Sequence, residues 1–272
     1  MQVNRSGYYR WKKQDQVINS EEERLLVEMK ALHEHSNRSY GSRRLTKGLQ
    51  IKGFKVGRYR VRGLMRKARI ECKQRRRYRI TTHSDHRLPV AENVLNREFK
   101  PGLINQVWVT DITYLWTQEG WLYLAAVLDL FSRRIVGWSM ANHMKGELVH
   151  NALLMAIGRR KPSQHLMHHS DRGIQYASKD YQKLLADYGI RVSMSRKGNC
   201  WDNAVMERFF GSLKSERTNG KNYLTREQAK RDVIDYIEMF YNSYRLHSTL
   251  GYLSPLQYEK QNQSLKKVST FT

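Results

Sequence analysis

Three carboxylates and a lysine have the types and spacing for chemistry on a phosphate ester. Asp111 lies within VWVTDITYLW, flanked by Thr110, Ile112 and Thr113, where an unpaired charge is costly. Asp171 follows the segment QHLMHHS, where a strand is expected to end. Glu207 lies in DNAVMERFFGSLKSER, in which Met206, Phe209, Phe210 and Leu213 form a core stripe at helical spacing. Glu207, Gly211 and Lys214 form a second stripe on the same helix. Oxygen-only ligation by two or three carboxylates suits Mg²⁺ or Mn²⁺, which keep several waters and accept phosphate oxygens. Two such ions activate a nucleophile and stabilise the leaving oxygen of an in-line phosphoryl displacement. Lys214 would hold a phosphate nearby. Taken singly, each carboxylate has a structural alternative: Asp111 paired with a buried arginine, Asp171 starting a turn, Glu207 simply exposed.

The elements that must position these groups are legible from periodicity. From Val107, β-branched and aromatic residues predict strands over 107–116, 121–130 and 133–141, an antiparallel meander. Helical and strand patterns then alternate over 145–160, 164–171, 178–189 and 190–195. A helix follows from near Asp202, and another spans 225–247. This is an α/β domain with a mixed sheet. Upstream the pattern is all helical. Residues 20–36 open with Ser20 and Glu23 at capping-box spacing, 42–52 is a second helix, and 58–70 a third after the Gly53–Gly57 turn. Glycine-turned helices of this kind read as a helix-turn-helix, with Arg58, Arg60, Arg62, Arg66 and Lys67 available to DNA, or as a three-helix packing unit with a solvated basic face.

Composition narrows the function classes. The 272 residues carry 49 Lys and Arg against 25 Asp and Glu, a formal net charge of +24. Residues 1–100 hold 26 of those cations and 10 of the acids. Such a field selects polyanions, nucleic acid first. An aromatic content of 11% argues against a wholly disordered basic chain. The longest apolar run, 121–128, is too short to span a bilayer, the N-terminal residues lack a signal-peptide pattern, and two cysteines cannot build a disulfide framework. Residues 71–97, with the run Arg75, Arg76, Arg77, read as a basic linker or arm on a nucleic-acid backbone, or as a solvated charge run.

The lesser candidates carry alternatives. His168 and His169 precede Asp171 without zinc-site spacing and fit a structural role. Asp129 is either a fourth carboxylate near the site or, as the expected reading, the partner of Arg133 or Arg134 at the end of its strand. In the loop RKGNCWDN, Asp202 or Asn203 is the expected N-cap. Gly198, Asn199 and Trp201 either contact DNA or, for Trp201, pack on the core. Cys200 has no paired histidine base. Tyr241, Tyr244 and Arg245 either pack on the core or touch DNA.

Asp111, Asp171 and Glu207 are separated by 59 and 35 residues, and Lys214 follows seven after the glutamate. This spacing resembles the D,D(35)E signature of retroviral-integrase-like transposases. The words VWVTDITYL, AAVLDLFSRRIVGW, HHSDRGIQYAS, RKGNCWDNAVMERFFGSLKSE and YNSYRLHSTLGYLSP resemble, in order, the OrfB transposases of the insertion-sequence-three family of bacterial mobile elements. The resemblance implies an RNase H-like catalytic core over 98–220, preceded by an all-α helix-turn-helix-type DNA-binding region (1–70, helix-turn-helix about 42–70) and the linker 71–97. A C-terminal helical extension, 221–272, would follow. It also implies metal-dependent cleavage of element ends and strand transfer of the freed 3′-hydroxyl into target DNA, without a covalent protein–DNA intermediate. Asp111 would bridge two ions, Asp171 and Glu207 would each bind one, and at least a dimer would assemble on paired ends. A bacterial, cytoplasmic, nucleoid-associated location follows, with no membrane partner. In that family an upstream frame usually adds a helix-turn-helix and a leucine zipper; no heptad run is present here, so association or fusion with an upstream-frame protein is expected. The alternatives are an inactive end-binding repressor and an RNase H-like nuclease without strand transfer.

Overall fold

A computed structural model describes residues 4–9, 20–73, 89–162, 165–196 and 200–269; for Ser20, Cys200, Trp201 and 264–269 it describes the backbone alone. The chain divides into two compact units, Met1–Lys73 and Gln74–Thr272.

The first unit is helical: α1 (Ser20–His35), α2 (Ser42–Ile51) and α3 (Arg58–Lys67). Leu25 and Met29 of α1, Leu45 and Leu49 of α2, and Val61 and Leu64 of α3 are buried, as the apolar spacing predicts. Gly48 lets α2 approach α1: a Cβ there would meet Leu32 Cδ1 at 3.0 Å. Gly53, at φ +89°, ends α2 and opens the turn into α3.

The second unit is built on a five-stranded sheet in the order β3-β2-β1-β4-β5. Strands β1 (Val107–Thr117), β2 (Gly120–Asp129) and β3 (Ile135–Ala141) form the expected antiparallel meander, while β4 (Met167–Ser170) and β5 (Arg191–Met194) run parallel to β1. Helix α4 (Gly146–Arg160) packs on β3 and β2, and the short α5 (Ile174–Ala177) and α6 (Lys179–Asp187) join it over one cluster with Trp108, Val127, Tyr176 and Tyr181. Gly137 fixes the closeness of α4, since a Cβ there would stand 2.2 Å from the Ala152 carbonyl oxygen. Leu122, Leu124, Ala126 and Leu128, alternating with the residues of that cluster, are also fully buried. Their side is covered by α7 (Ala204–Leu213) and α8 (Arg226–Ile234), both in contact with the meander. Burial on both faces explains why 121–128 reads as a continuous apolar run rather than an alternating one.

Three differences from the sequence reading have physical causes. Residues 89–97, read as the end of a linker, dock on the sheet: Leu95 is buried, and the amides of Val94 and Leu95 donate to Ser193 Oγ at 3.1 Å each. The 225–247 helix is α8 followed by a π-helical stretch, Asp235–Tyr241, and α7 likewise continues as a π turn, Lys214–Thr218. A further helix, α9 (Pro255–Ser269), escaped the apolar pattern because polar contacts anchor it. Glu259 accepts from Ser132 Oγ at 2.7 Å and pairs with Arg134 and Arg160. Among the described residues no helix is long and apolar enough to cross a membrane.

Candidate active site

The sheet register brings two of the carboxylates level. In the parallel β1–β4 pair, Val109 stands opposite His169. Extending that register by two residues sets Asp171, just past the end of β4, level with Asp111. Alternation along β1 turns Asp111 away from Trp108 and Ile112, which line the α4 cluster, towards the side that carries α7. Past Val109, β1 has no β4 partner, and Asn203 Nδ2 donates to the Thr110 carbonyl at 3.2 Å. Asn203 precedes Glu207 by four residues, so one side chain ties the start of the glutamate's helix to the strand beside Asp111.

The electrostatics match that placement. Burial, then the charge of Asp171, then that of Glu207 hold the Asp111 carboxyl well above its usual range. The Ile112 amide, donating to Oδ1 at 2.7 Å, and Lys214 oppose the rise. Burial raises Glu207 and lowers Lys214, the latter against the pull of Asp111. Asp171 Oδ1 accepts from the Gly173 amide at 2.9 Å; a Cβ at Gly173 would meet that oxygen at 3.0 Å. Nothing within 4 Å would meet a Cβ at Gly211, so the helix face between Glu207 and Lys214 is open. Thr113 Oγ1, on the strand face of Asp111, and Asn203 Oδ1 are buried without a hydrogen-bond partner among the described residues. Among those residues, no three histidine, cysteine or acidic side chains stand close enough together to hold an ion.

The comparisons with known proteins divide as the chain does. Residues 20–78 match an HTH-like domain family, 104–200 an integrase core domain family, and 207–264 a second integrase core domain family. The chain is 46% identical to the 31 kDa protein of insertion element IS600 from Shigella sonnei, over 96% of this chain and 97% of that one. It is 41% identical to the transposase InsF for insertion sequence IS3A of Escherichia coli (strain K12), over 96% and 92%. The chain belongs to the IS3-family transposases. As an integrase-core transposase it is a DDE polynucleotidyl transferase. Among solved structures, a simian T-cell lymphotropic virus intasome is similar at 18% identity and TM-score 0.48, over 84% of this chain and 73% of that chain.

Several residues of this transposase stand elsewhere than the sequence suggested. Asp129 pairs with Arg160 at 3.2 Å and accepts from the amides of Asn105 and Phe131; Arg134 goes to Glu259 instead, and Arg133 to the Phe99 carbonyl. Partner choice here follows the fold, because Arg160 ends α4 beside the end of β2. Asn203 is the N-cap residue of α7, one of the two expected, though its side chain makes no cap hydrogen bond. Asp202 instead clasps the Arg196 amide at 3.0 Å, Asn93 at 2.8 Å and Arg97 at 2.9 Å. His168 and His169, by contrast, are structural as the sequence suggested: both are buried, bonded to Tyr181 and to Ser193, and burial lowers their pKa to about 3 and about 4.

Of the α3 cations, Arg60 pairs with Glu21 at 3.4 Å, Lys67 with Glu22 at 2.7 Å, and Arg58 bonds Ser42, whereas Arg62 and Arg66 are exposed. Arg75, Arg76, Arg77, Gly198, Asn199 and the Trp201 side chain lie outside the described residues. Tyr241 packs edge-on to Phe209 at 4.8 Å, Arg245 is buried against Glu216, and Tyr244 is exposed. Sequence reasoning missed Asn203 as a strand clip and Glu216 as the partner of Arg245. The only signal for the first is its i, i+4 spacing from Glu207.

Proposed function

We propose that Asp111, Asp171 and Glu207 are the DDE carboxylates of this transposase. Although not gathered into a ready-made ion cage, they are the residues that would hold two divalent ions, Mg²⁺ or Mn²⁺. The site would cut element ends and join them to target DNA. The observation that carries the reading is the placement of Asp111 on β1, of Asp171 just past the end of the neighbouring β4, and of Glu207 on a helix clipped to β1 by Asn203. Asp171 and Glu207 are both close enough to raise the Asp111 carboxyl. Carboxylates that repel one another are relieved either by a proton, as the raised Asp111 carboxyl allows, or by a cation, and an all-oxygen donor set suits a hard one. The orphaned Thr113 and Asn203 oxygens fit a hydrated ion. Divalent metal, when bound, supplies Lewis-acid charge for the attacking and leaving oxygens.

This chain's own groups orient the reaction. In cleavage, the oxygen of water bonds to the scissile phosphorus and the P–O3′ bond breaks, leaving a 3′-hydroxyl and a 5′-phosphate. In joining, that 3′-hydroxyl bonds to a target phosphorus, and the target O3′ leaves with the proton. Lys214, half-buried at the start of the π turn that continues α7, grips a phosphate oxygen and offsets charge as the bond breaks. Arg58, Arg62 and Arg66 of α3 grip the DNA of the element ends, with Arg60 and Lys67 set by their acidic partners. At least a dimer on paired ends, with an upstream-frame protein joined or associated, completes the assembly.

The test is a duplex carrying the element end, incubated with Mg²⁺ or Mn²⁺. Asp111→Asn, Asp171→Asn and Glu207→Gln should each abolish cutting and joining while end binding persists. Cutting at the normal rate by any one of them overturns the assignment. A wild type that binds ends without cutting would favour a repressor, and one that cuts without joining a nuclease.

A further inference from the structure

A row of aromatic rings runs along the β1–β2 hairpin, on the sheet face opposite Asp111, and meets the candidate site at Lys214. Tyr114 and Trp116 share one face of β1, and their cross-strand partners are Tyr123 and Trp121. Tyr114 lies 4.9 Å from Trp121 and 6.4 Å from Tyr123, and Trp116 lies 4.8 Å from Trp121, all edge to face. The outer rings are wet: Trp116 is 58% exposed and Trp121 43%. At the inner end Lys214 Nζ stands 5.2 Å from the Tyr114 centroid, and the same ammonium feels the charge of Asp111. At the outer end Arg226 Nε donates to the Trp121 carbonyl at 3.0 Å, and its amide donates to Glu119, the one acid of the turn, at 2.7 Å.

Two neighbouring exposed tryptophans continued by two tyrosines form a contiguous apolar patch, the kind of surface that marks an interaction site. Edge-to-face packing fixes the rings against one another and leaves ring surface open to a third aromatic group. Nucleobases supply such surfaces, and stacking is available only to bases released from pairing. The cation at each end of the row, in a chain of net charge +24, suits the phosphates that accompany them.

The geometry points to this row as a track for an unpaired DNA strand entering or leaving the site, with bases stacked on Trp116 and Trp121 and a phosphate near Lys214. A second copy of the chain fits less well, because four rings cover far less than the about 800 Å² per partner of a stable interface. The inference rests on the active-site reading above for where the strand leads.

Its test does not depend on catalysis. Binding of a labelled short oligothymidylate and of a duplex of equal length is measured by fluorescence anisotropy on the full chain, in chelator. Moderate salt limits the purely electrostatic part. Trp116→Ala with Trp121→Ala should weaken binding of the unpaired strand by about tenfold or more, with duplex affinity little changed. Trp116→Phe with Trp121→Phe should restore most of the loss. Equal losses for both ligands, or none, overturn the proposal. So does a wild-type dimer that disperses in the alanine variant while oligothymidylate affinity holds, which assigns the face to a second copy. Asp111→Asn, assayed in parallel, should bind the oligothymidylate at least as tightly as wild type, because it removes a negative charge beside Lys214. An error in the catalytic reading would therefore show as cutting by Asp111→Asn, not as a loss of this binding.

Discussion

Replacing Arg245 with Met should cost this protein about 3–5 kcal/mol, the range for leaving a buried charge without its partner. Arg245 meets Glu216 in a two-pronged pair, Nε to Oε2 and Nη2 to Oε1, both at 2.7 Å, with side chains only 4% and 6% exposed. Burial works against the guanidinium, and the Glu216 charge more than reverses it, so its pKa is raised. Tyr236 Oη also donates to Glu216, at 2.8 Å, and Arg245 Nη2 reaches Ser212 at 3.1 Å. The pair thus pins the π turn that follows α7, two residues beyond Lys214, to the segment after α8. A unit of about this size loses roughly 2–4 °C of Tm per kcal/mol, so thermal melting should fall by roughly 6–20 °C. The decisive comparison is Arg245→Met combined with Glu216→Gln. It removes both charges, keeps an acceptor for Tyr236, and should regain most of the loss, because a neutral buried pair avoids the desolvation cost. A single variant that loses less than about 1 kcal/mol, or a double variant no better than the single, refutes the view that this pair is a buried lock rather than a solvated contact.

Two further outcomes concern charge and pH. In chelator at pH 7.5, Asp111→Asn should melt higher than wild type. The native carboxyl is raised above its unfolded value of 3.8, so its contribution is fully present below that pH and is lost as pH rises through the folded value, at about 1.4 kcal/mol per unit of elevation. The gap between the two proteins should close on acidification; equal melting at pH 7.5 counts against carboxylate repulsion at the site. Glu259 is the opposite case. Burial raises it, but hydrogen bonds from Arg160, Ser132 and Arg134, with the Arg160 charge, hold it below 4.5. Its stabilisation is therefore present above about pH 4.5 and is lost as pH falls through the folded value. Melting curves should show Glu259→Gln less stable than wild type at pH 7 and converging with it in acid; a difference that persists below pH 3 would mean that α9 docks by other means.

The sequence by itself determined the types and order of the elements and the identity of the candidate carboxylates. Those signals are local. The β-branched run around Asp111 and the Met206–Phe209–Phe210–Leu213 stripe each report the environment of a residue from its neighbours along the chain. The same locality let α9 escape, because it is anchored by one buried glutamate and a few contacts such as Tyr258 on Phe131 rather than by a periodic apolar face. It also misassigned Asp129, because adjacent arginines in sequence are not the ones that the fold delivers. What only the tertiary structure decided is who meets whom: Asp129 with Arg160, 31 residues on; Glu216 with Arg245, 29 on; Asn203 with the Thr110 carbonyl, 93 away. An ion pair or a clip leaves no periodic trace, since its energy depends on the approach of two elements and not on the pattern within either. The levelling of Asp171 with Asp111 is of this kind. It follows from a parallel register three residues long, which no spacing in the chain encodes.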